Sequence, residues 1–311
     1  MVTRRNLLRR AASAAALGPL TGLPFNTQPA MAEKMGSISV SAPRVGAQVY
    51  VWTQHFARQK QPVSEHLREM LEAHCRAGFR HLELMSSLVT RDLLPQLRRA
   101  GDELGIRYPV VYSGARLYES EAHAGELKKF RQLAANAKAI GAEAINCNPD
   151  PKPRKEAKSD AELAAEAEGI HAVARLLREE GLVLTLHQHD AEMANDARNW
   201  RYWLRETDPA IVRFCFDTHW ALRGGQDPLT LLKECRTRLA SVHLRNARGR
   251  VWWEDLDDGD LDYRPIAQYL KQTTYSGILM VELAWEERTR ISRPVEESLR
   301  RSRGYVERRF L

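Results

Sequence analysis

The chain has 311 residues, with 47 Lys and Arg against 40 Asp and Glu and a formal net charge of +7. Its first 32 residues hold four arginines and no acid, so the remainder carries only +3, too little to argue for a nucleic-acid partner. That remainder, roughly 280 residues, suits one large α/β domain. Its cysteines, Cys75, Cys147, Cys215 and Cys235, form no C-x-x-C pair.

The N-terminus reads Thr3-Arg4-Arg5-Asn6-Leu7-Leu8-Arg9-Arg10, then a small, weakly apolar stretch over 11–23, then Ala30-Met31-Ala32. Twin arginines, a mild apolar region and an A-x-A site, in that order, are read as a twin-arginine export signal over residues 1–32. The alternative is a surface helix with chance arginines. Twin-arginine substrates cross folded, so no disulfide is expected; Cys75 and Cys215 read as small core residues. No other segment reaches the ~18 uninterrupted apolar residues of a membrane span.

From there a unit repeats. Helical stretches end at Gly78, Gly105, Gly141 and Gly181, each leading into a strand-like run. Glycine after a helix supplies the left-handed residue that stops it. The helix before Gly78 carries Leu67, Met70, Leu71 and Cys75 on one stripe. The helix before Gly181 begins with the capping box Ser159-x-x-Glu162 and buries Leu163, Ala167, Ile170, Ala174 and Leu177. Strands are expected near 46–52, 79–85, 108–112, 143–147, 182–187, 211–217, 239–244 and 278–283, with a last helix near 293–309. The Arg-rich stretch over 300–309 reads as its solvated face. Eight strands alternating with helices over this length predict a closed (β/α)8 TIM barrel. An open doubly wound sheet would carry a glycine-rich phosphate loop after strand one, and Val49-Tyr50-Val51-Trp52-Thr53-Gln54 offers none. Long loops over 148–158 and 246–263 are expected around the mouth.

Polar residues close several of these runs. Glu83 ends Phe79-Arg80-His81-Leu82, either to accept substrate hydroxyls or to pair with an arginine. Trp52, at the end of strand one, is a candidate wall of the site. His187 ends Leu182-Val183-Leu184-Thr185-Leu186, Asp217 ends Phe214-Cys215-Phe216, His243 ends Leu239-Ala240-Ser241-Val242, and Glu282 ends Ile278-Leu279-Met280-Val281. Each alone is more often a polar strand terminus with a local hydrogen bond. Four on consecutive strands, at the end where such barrels place their chemistry, predict one divalent metal held by His187, Asp217, His243 and Glu282. Imidazole with carboxylate suits Mn²⁺, Zn²⁺, Co²⁺ or Fe²⁺. His189 shares a face with His187 if the strand continues, so either can be the ligand and the other a substrate contact or proton carrier. His187 is chosen because it follows the apolar run directly. Glu192 reads as a loop salt bridge. Trp220 is a wall of the site or a core residue, and Arg245 or Asn246 can hold a carbonyl, hydroxyl or carboxylate. Asp258-Gly259-Asp260-Leu261-Asp262-Tyr263 lacks the calcium-loop spacing and reads as the turn before a helix.

Over about residues 44–308 these pieces resemble the xylose-isomerase-like TIM barrels of the sugar phosphate isomerase/epimerase type. The resemblance lies in His187-Gln188-His189-Asp190-Ala191-Glu192, Asp217-Thr218-His219-Trp220 with Gly224-Gly225-Gln226-Asp227-Pro228, Val242-His243-Leu244-Arg245-Asn246, and Val281-Glu282. It implies one metal at the ends of strands five to eight. It also implies proton abstraction beside the carbonyl of a sugar or keto-sugar, through a metal-stabilised enediolate, with Glu282 or His189 as base. Isomerisation, epimerisation and elimination by a lyase are all consistent with that step. Three departures stand out: His187 where many relatives carry glutamate, Trp220 in place of a histidine, and Arg245-Asn246 in place of Lys-Asp. The alternative of another class is a non-catalytic periplasmic sugar-binding or sensing protein; an abasic-site endonuclease is disfavoured by charge and export. Expected partners are a small carbohydrate and, during export, the twin-arginine translocase, with no nucleic acid. The expected location is periplasmic, and a homo-oligomer is left open.

Overall fold

In the computed structural model, residues 42–311 are described, and the export signal expected over 1–32 lies outside them. β1 (Arg44–Gln48) leads into α1 (Tyr50–Arg58) and α2 (Leu67–Arg76), β2 (His81–Met85) into α3 (Leu94–Leu104), and β3 (Arg107–Ala115) into α4 (His123–Ala139). β4 (Ala144–Pro149) precedes α5 (Asp160–Glu179), β5 (Val183–Leu186) precedes α6 (Asp190–Glu206), and β6 (Val212–Asp217) precedes α7 (Thr218–Arg223) and α8 (Pro228–Glu234). After β7 (Leu239–Leu244) come a small antiparallel hairpin, β8 (Ala247–Arg248) with β9 (Val251–Trp252), then α9 (Arg264–Gln272), β10 (Ile278–Val281) and α10 (Val295–Phe310).

Eight strands pair in the order β1-β10-β7-β6-β5-β4-β3-β2, all parallel, and close into a barrel. The glycines expected to stop helices do so: Gly78, Gly105, Gly141 and Gly181 have φ of 96°, 65°, 76° and 77°. The capping box is formed, with Ser159 Oγ accepting the Glu162 amide at 3.2 Å and Glu162 Oε2 accepting the Ser159 amide at 2.7 Å. Such a cap stabilises a helix by about 1 kcal/mol. All four cysteines are free thiols, three of them buried. Among the described residues no helix is long and apolar enough to cross a membrane.

One boundary differs from expectation. The first strand stops at Gln48, Val49 turns with φ −85° and ψ 3°, and α1 starts at Tyr50. The apolar run over 49–52 is therefore helical, with Trp52 stacked on Phe56 one turn later at 5.7 Å.

Register and alternation determine what fills the barrel. Gln48 pairs with Glu83, Asn146 with Thr185, Asp217 with His243, and His243 with Met280. These side chains share the inner face. Val110, Ile278 and Met280 form a separate apolar plug low in the barrel. Above it lies a bonded polar layer: Glu83 Oε1 accepts from Asn146 Nδ2 at 3.0 Å and Gln48 Nε2 at 3.3 Å, and Thr185 Oγ1 donates to Asn146 Oδ1 at 3.2 Å. The large apolar cluster fills the space between strands and helices. The next level up is the mouth.

Candidate metal centre

His187, Asp217, His243 and Glu282 each offer a ligand atom, and the four atoms lie within 4.8 Å of one another. The inward period of two puts the last three on one face of β6, β7 and the end of β10. His187 stands one residue beyond β5, where its amide still bonds Cys147 O at 2.8 Å and so continues the ladder. The predicted quartet is thus brought together, and it can bind a metal.

Whether the donor set fits a cation is decided by His187. Its Nδ1 lies 3.1 Å from Asn148 Oδ1, and Asn148 Nδ2 donates to Pro149 O at 3.0 Å, which orients the amide. With Asn148 Oδ1 accepting from Nδ1, the neutral form of the ring carries its lone pair on Nε2. That atom is buried without a partner and faces Asp217 Oδ2 at 3.6 Å and Glu282 Oε2 at 4.0 Å. In that form a lone pair aimed at two carboxylates is repulsive unless a cation lies among them, a place that the Arg245 guanidinium on the same two oxygens or a metal ion can fill. The quartet fits.

Two cations already neutralise these acids. His243 Nδ1 lies 2.6 Å from Glu282 Oε2, and its Nε2 lies 2.7 Å from Glu83 Oε2. Burial opposes charge on that ring, yet Cys215, Glu83 and Glu282 around it raise its pKa well above the usual imidazole value. Arg245 Nη2 lies 2.9 Å from Asp217 Oδ2 and 2.5 Å from Glu282 Oε2. Burial alone would raise both carboxyl pKa values; Arg245, with His187 for Asp217 and His243 for Glu282, lowers them instead. Asp217 also accepts the Trp220 amide through Oδ1 at 2.7 Å and so caps α7.

His189 is not a further strand residue. β5 has ended, and His189 forms the N-cap position of α6, its amide donating to Glu192 Oε2 at 2.7 Å. Glu192 is thus a buried cap, not the expected loop salt bridge. The His189 ring stands 5.0 Å from the His187 ring and 4.8 Å from Trp220, with Tyr112 Oη 3.5 Å from its Nε2. Burial, helped by His187, pulls its pKa down to about 3.

Of the other expected site residues, Trp220 does stand at the mouth, 5.1 Å from Trp252, and Arg245 lies over both rings at 5.5 and 4.7 Å. Glu83 does not face a ligand, since both its oxygens are used inside the barrel and its partner is His243 instead of an arginine. Asn246 is fully engaged in its own loop: Nδ2 donates to Asp257 O and Leu261 O, and Oδ1 accepts from Leu261 N and Ala247 N. Trp52 sits on α1 with Phe56 and His74 as ring neighbours. Sequence reasoning missed three residues. Tyr112 ends the third apolar run and was recoverable by the rule that found the quartet. Asn148 orients His187, and Gln188 bonds the Asp217 backbone at 2.7 Å; neither has a local signal.

Residues 71–308 match the model of the family described as xylose isomerase-like TIM barrel. The chain is similar to the inosose dehydratase of Geobacillus kaustophilus (strain HTA426), 29% identical over 218 residues that cover 60% of this chain and 71% of that protein. Against the inosose dehydratase of Clostridium perfringens (strain 13 / Type A) the match spans about half of the relative, 52% of its length. Among solved structures, a sugar phosphate isomerase/epimerase from Parabacteroides distasonis ATCC 8503 superposes with a TM-score of 0.68 at 17% identity, over 87% of this chain and 96% of that one. At such identity the likeness concerns the fold.

Proposed function

The chain belongs to the xylose isomerase-like TIM barrel family, and on that premise we propose that it is a metal-dependent enzyme removing a proton beside the carbonyl of a sugar or keto-sugar. The observation that carries the reading is the buried Nε2 of His187, without a hydrogen-bond partner and facing Asp217 and Glu282 in a group of four metal-ligating side chains. His187, Asp217, His243 and Glu282 would hold one divalent ion, of the Mn²⁺, Zn²⁺, Co²⁺ or Fe²⁺ type that mixed nitrogen and oxygen donors suit. When bound, such an ion supplies Lewis acidity to a substrate carbonyl and its neighbouring hydroxyl.

The protein's own groups divide the remaining work. Glu282 retains 6% of its surface, whereas His187, Asp217 and His243 are at 0%, so it is the member of the quartet open to the mouth. Its carboxylate takes the proton from the carbon next to the carbonyl; the C–H electron pair becomes a C=C bond and the carbonyl oxygen takes the charge. Glu83 and Asn148 position His243 and His187. His189, beside Tyr112 Oη and the Trp220 ring, orients a substrate hydroxyl, and Arg245 with Trp220 forms the wall.

The proton has three possible destinations. Returned to the neighbouring carbon, it gives an isomer, and returned to the same carbon on its other face, an epimer. Delivered to a β-hydroxyl, it releases water and leaves an unsaturated ketone. Elimination is favoured because His187 stands where a second acidic base would be needed for two-base epimerisation, and because the relatives matched in sequence are named dehydratases. The substrate class is then a cyclic keto-polyol or keto-sugar without phosphate.

The experiment is metal analysis of the protein, then incubation of the Mn²⁺-loaded form with keto-sugars and keto-inositols in D₂O, followed by NMR. The expected result is one metal per chain, deuterium entering next to the carbonyl, and loss of water. Binding without any exchange would instead identify a sugar-binding or sensing protein. We also infer export through the twin-arginine translocase from Arg4-Arg5 and Ala30-Met31-Ala32. Changing both Arg4 and Arg5 to Lys should trap the chain in the cytoplasmic fraction; unchanged fractionation would defeat that inference.

A further inference from the structure

The four ligands do not account for where Arg245 lies. Its Nη2 contacts Asp217 Oδ2 and Glu282 Oε2 at 2.9 and 2.5 Å, the same two oxygens that His187 Nε2 faces. Glu282 Oε2 also accepts from His243 Nδ1 at 2.6 Å. A carboxylate oxygen has about two lone-pair directions, so this atom is already saturated. A metal cannot use it while both donors remain.

Arg245 also has a second set of partners. Its guanidinium lies over the Trp252 and Trp220 rings at 4.7 and 5.5 Å, faces that attract a cation, and its Nε has no hydrogen-bond partner. Lysine at this position would be a point charge; the planar guanidinium can bridge two acids and stack on an indole.

We propose that Arg245 is a resident counter-cation of the Asp217–Glu282 pair that competes with the metal, holding the two acids together in its absence and giving up those contacts, while keeping the tryptophan faces, when an ion enters. This rests on the metal reading above. The arginine therefore sets the affinity of the centre and lets the barrel keep its mouth folded when metal is scarce. Removing it leaves the two adjacent buried carboxylates with His243 as their one cationic partner, so that a metal ion or a proton takes over what the arginine supplied.

The test uses chelator-stripped full-length protein titrated with Mn²⁺ by calorimetry, together with thermal unfolding with and without Mn²⁺. Variants are Arg245→Met, which keeps length without charge, and Arg245→Gln, which serves if the first does not fold. The expected result is that the neutral variants bind Mn²⁺ more tightly than wild type, by about 5- to 150-fold as for ordinary coupling between two sites. Their metal-free forms should melt below metal-free wild type and be restored by Mn²⁺. A residue that merely supports the site would lose metal affinity along with stability. Equal or weaker Mn²⁺ binding by the neutral variants, alongside clear binding by wild type, overturns the competition while leaving the metal centre intact. Absence of binding by folded wild type and variants alike, also with Zn²⁺, Co²⁺ and Fe²⁺, removes the metal reading and the competition together.

Discussion

In Glu282→Gln, turnover of the keto-sugar or keto-polyol is expected to fall by about three orders of magnitude, within the range that a positioned general base contributes. Glutamine keeps the shape but cannot take a proton at neutral pH. It also replaces one carboxylate oxygen with an amide NH₂, which cannot accept from His243 Nδ1 or from Arg245 Nη2, the two donors now on Oε2. The measurement is kcat together with the rate of C–H exchange in D₂O, on protein shown to be folded by its unfolding temperature. Both rates should fall together, because both need the same proton removal. More than about a tenth of wild-type exchange would move the base to another residue, with His189 the next to test.

The largest expected effect on stability lies away from the mouth. Lys158 and Glu166 form an ion pair in which both side chains are buried, at 1% and 0% exposure. Glu166 Oε2 also accepts Trp203 Nε1 at 2.7 Å, and Lys158 Nζ lies over the Tyr118 ring at 5.2 Å. Burial raises the Glu166 pKa despite its lysine partner. Lys158→Met would leave that carboxylate buried and unpaired, a loss of about 3–5 kcal/mol. At about 2–4 °C per kcal/mol for a domain of this size, unfolding should shift down by about 6–20 °C. Adding Glu166→Gln should restore much of it, since the amide oxygen still accepts from Trp203 while the charge is gone. A single variant melting within about 2 °C of wild type would mean that Glu166 is neutral or rehydrated.

Much of the candidate metal centre could be read before any fold was known, for a local reason. A parallel strand buried on both faces must be apolar throughout, so a histidine or acid ending such a run stands out. Strand direction then places all such residues at one rim. Tyr112 obeyed the same rule and was overlooked. The rule failed at Trp52 because a short apolar run does not distinguish a buried strand from a buried helix turn. Val49-Tyr50-Val51-Trp52 has β-forming residues, yet the chain turns at Val49 because Val51, Trp52 and Phe56 are buried together on α1.

Partnership was not legible in the same way. Glu83 looked free for a substrate, but His243, 160 positions later, takes one oxygen, and Asn146, 63 positions later, takes the other. Asn246 looked like a binding residue and proved to organise the loop that ends at Leu261. Arg245 was expected to touch substrate, and its charge turned out to lie on two of the expected ligands.

By itself, then, the sequence determined the alternation of strand and helix, the glycine stops, the capped α5 and the identity of the four inward polar ends. All of these depend on periodicity and on backbone preferences within a few residues. Barrel closure decided the rest: which nitrogen of His187 is left without a hydrogen-bond partner, which acid opens to the mouth, and which cation holds Asp217 to Glu282. Those are properties of atoms a few ångströms apart in space but tens of residues apart in the chain, and no local preference encodes them.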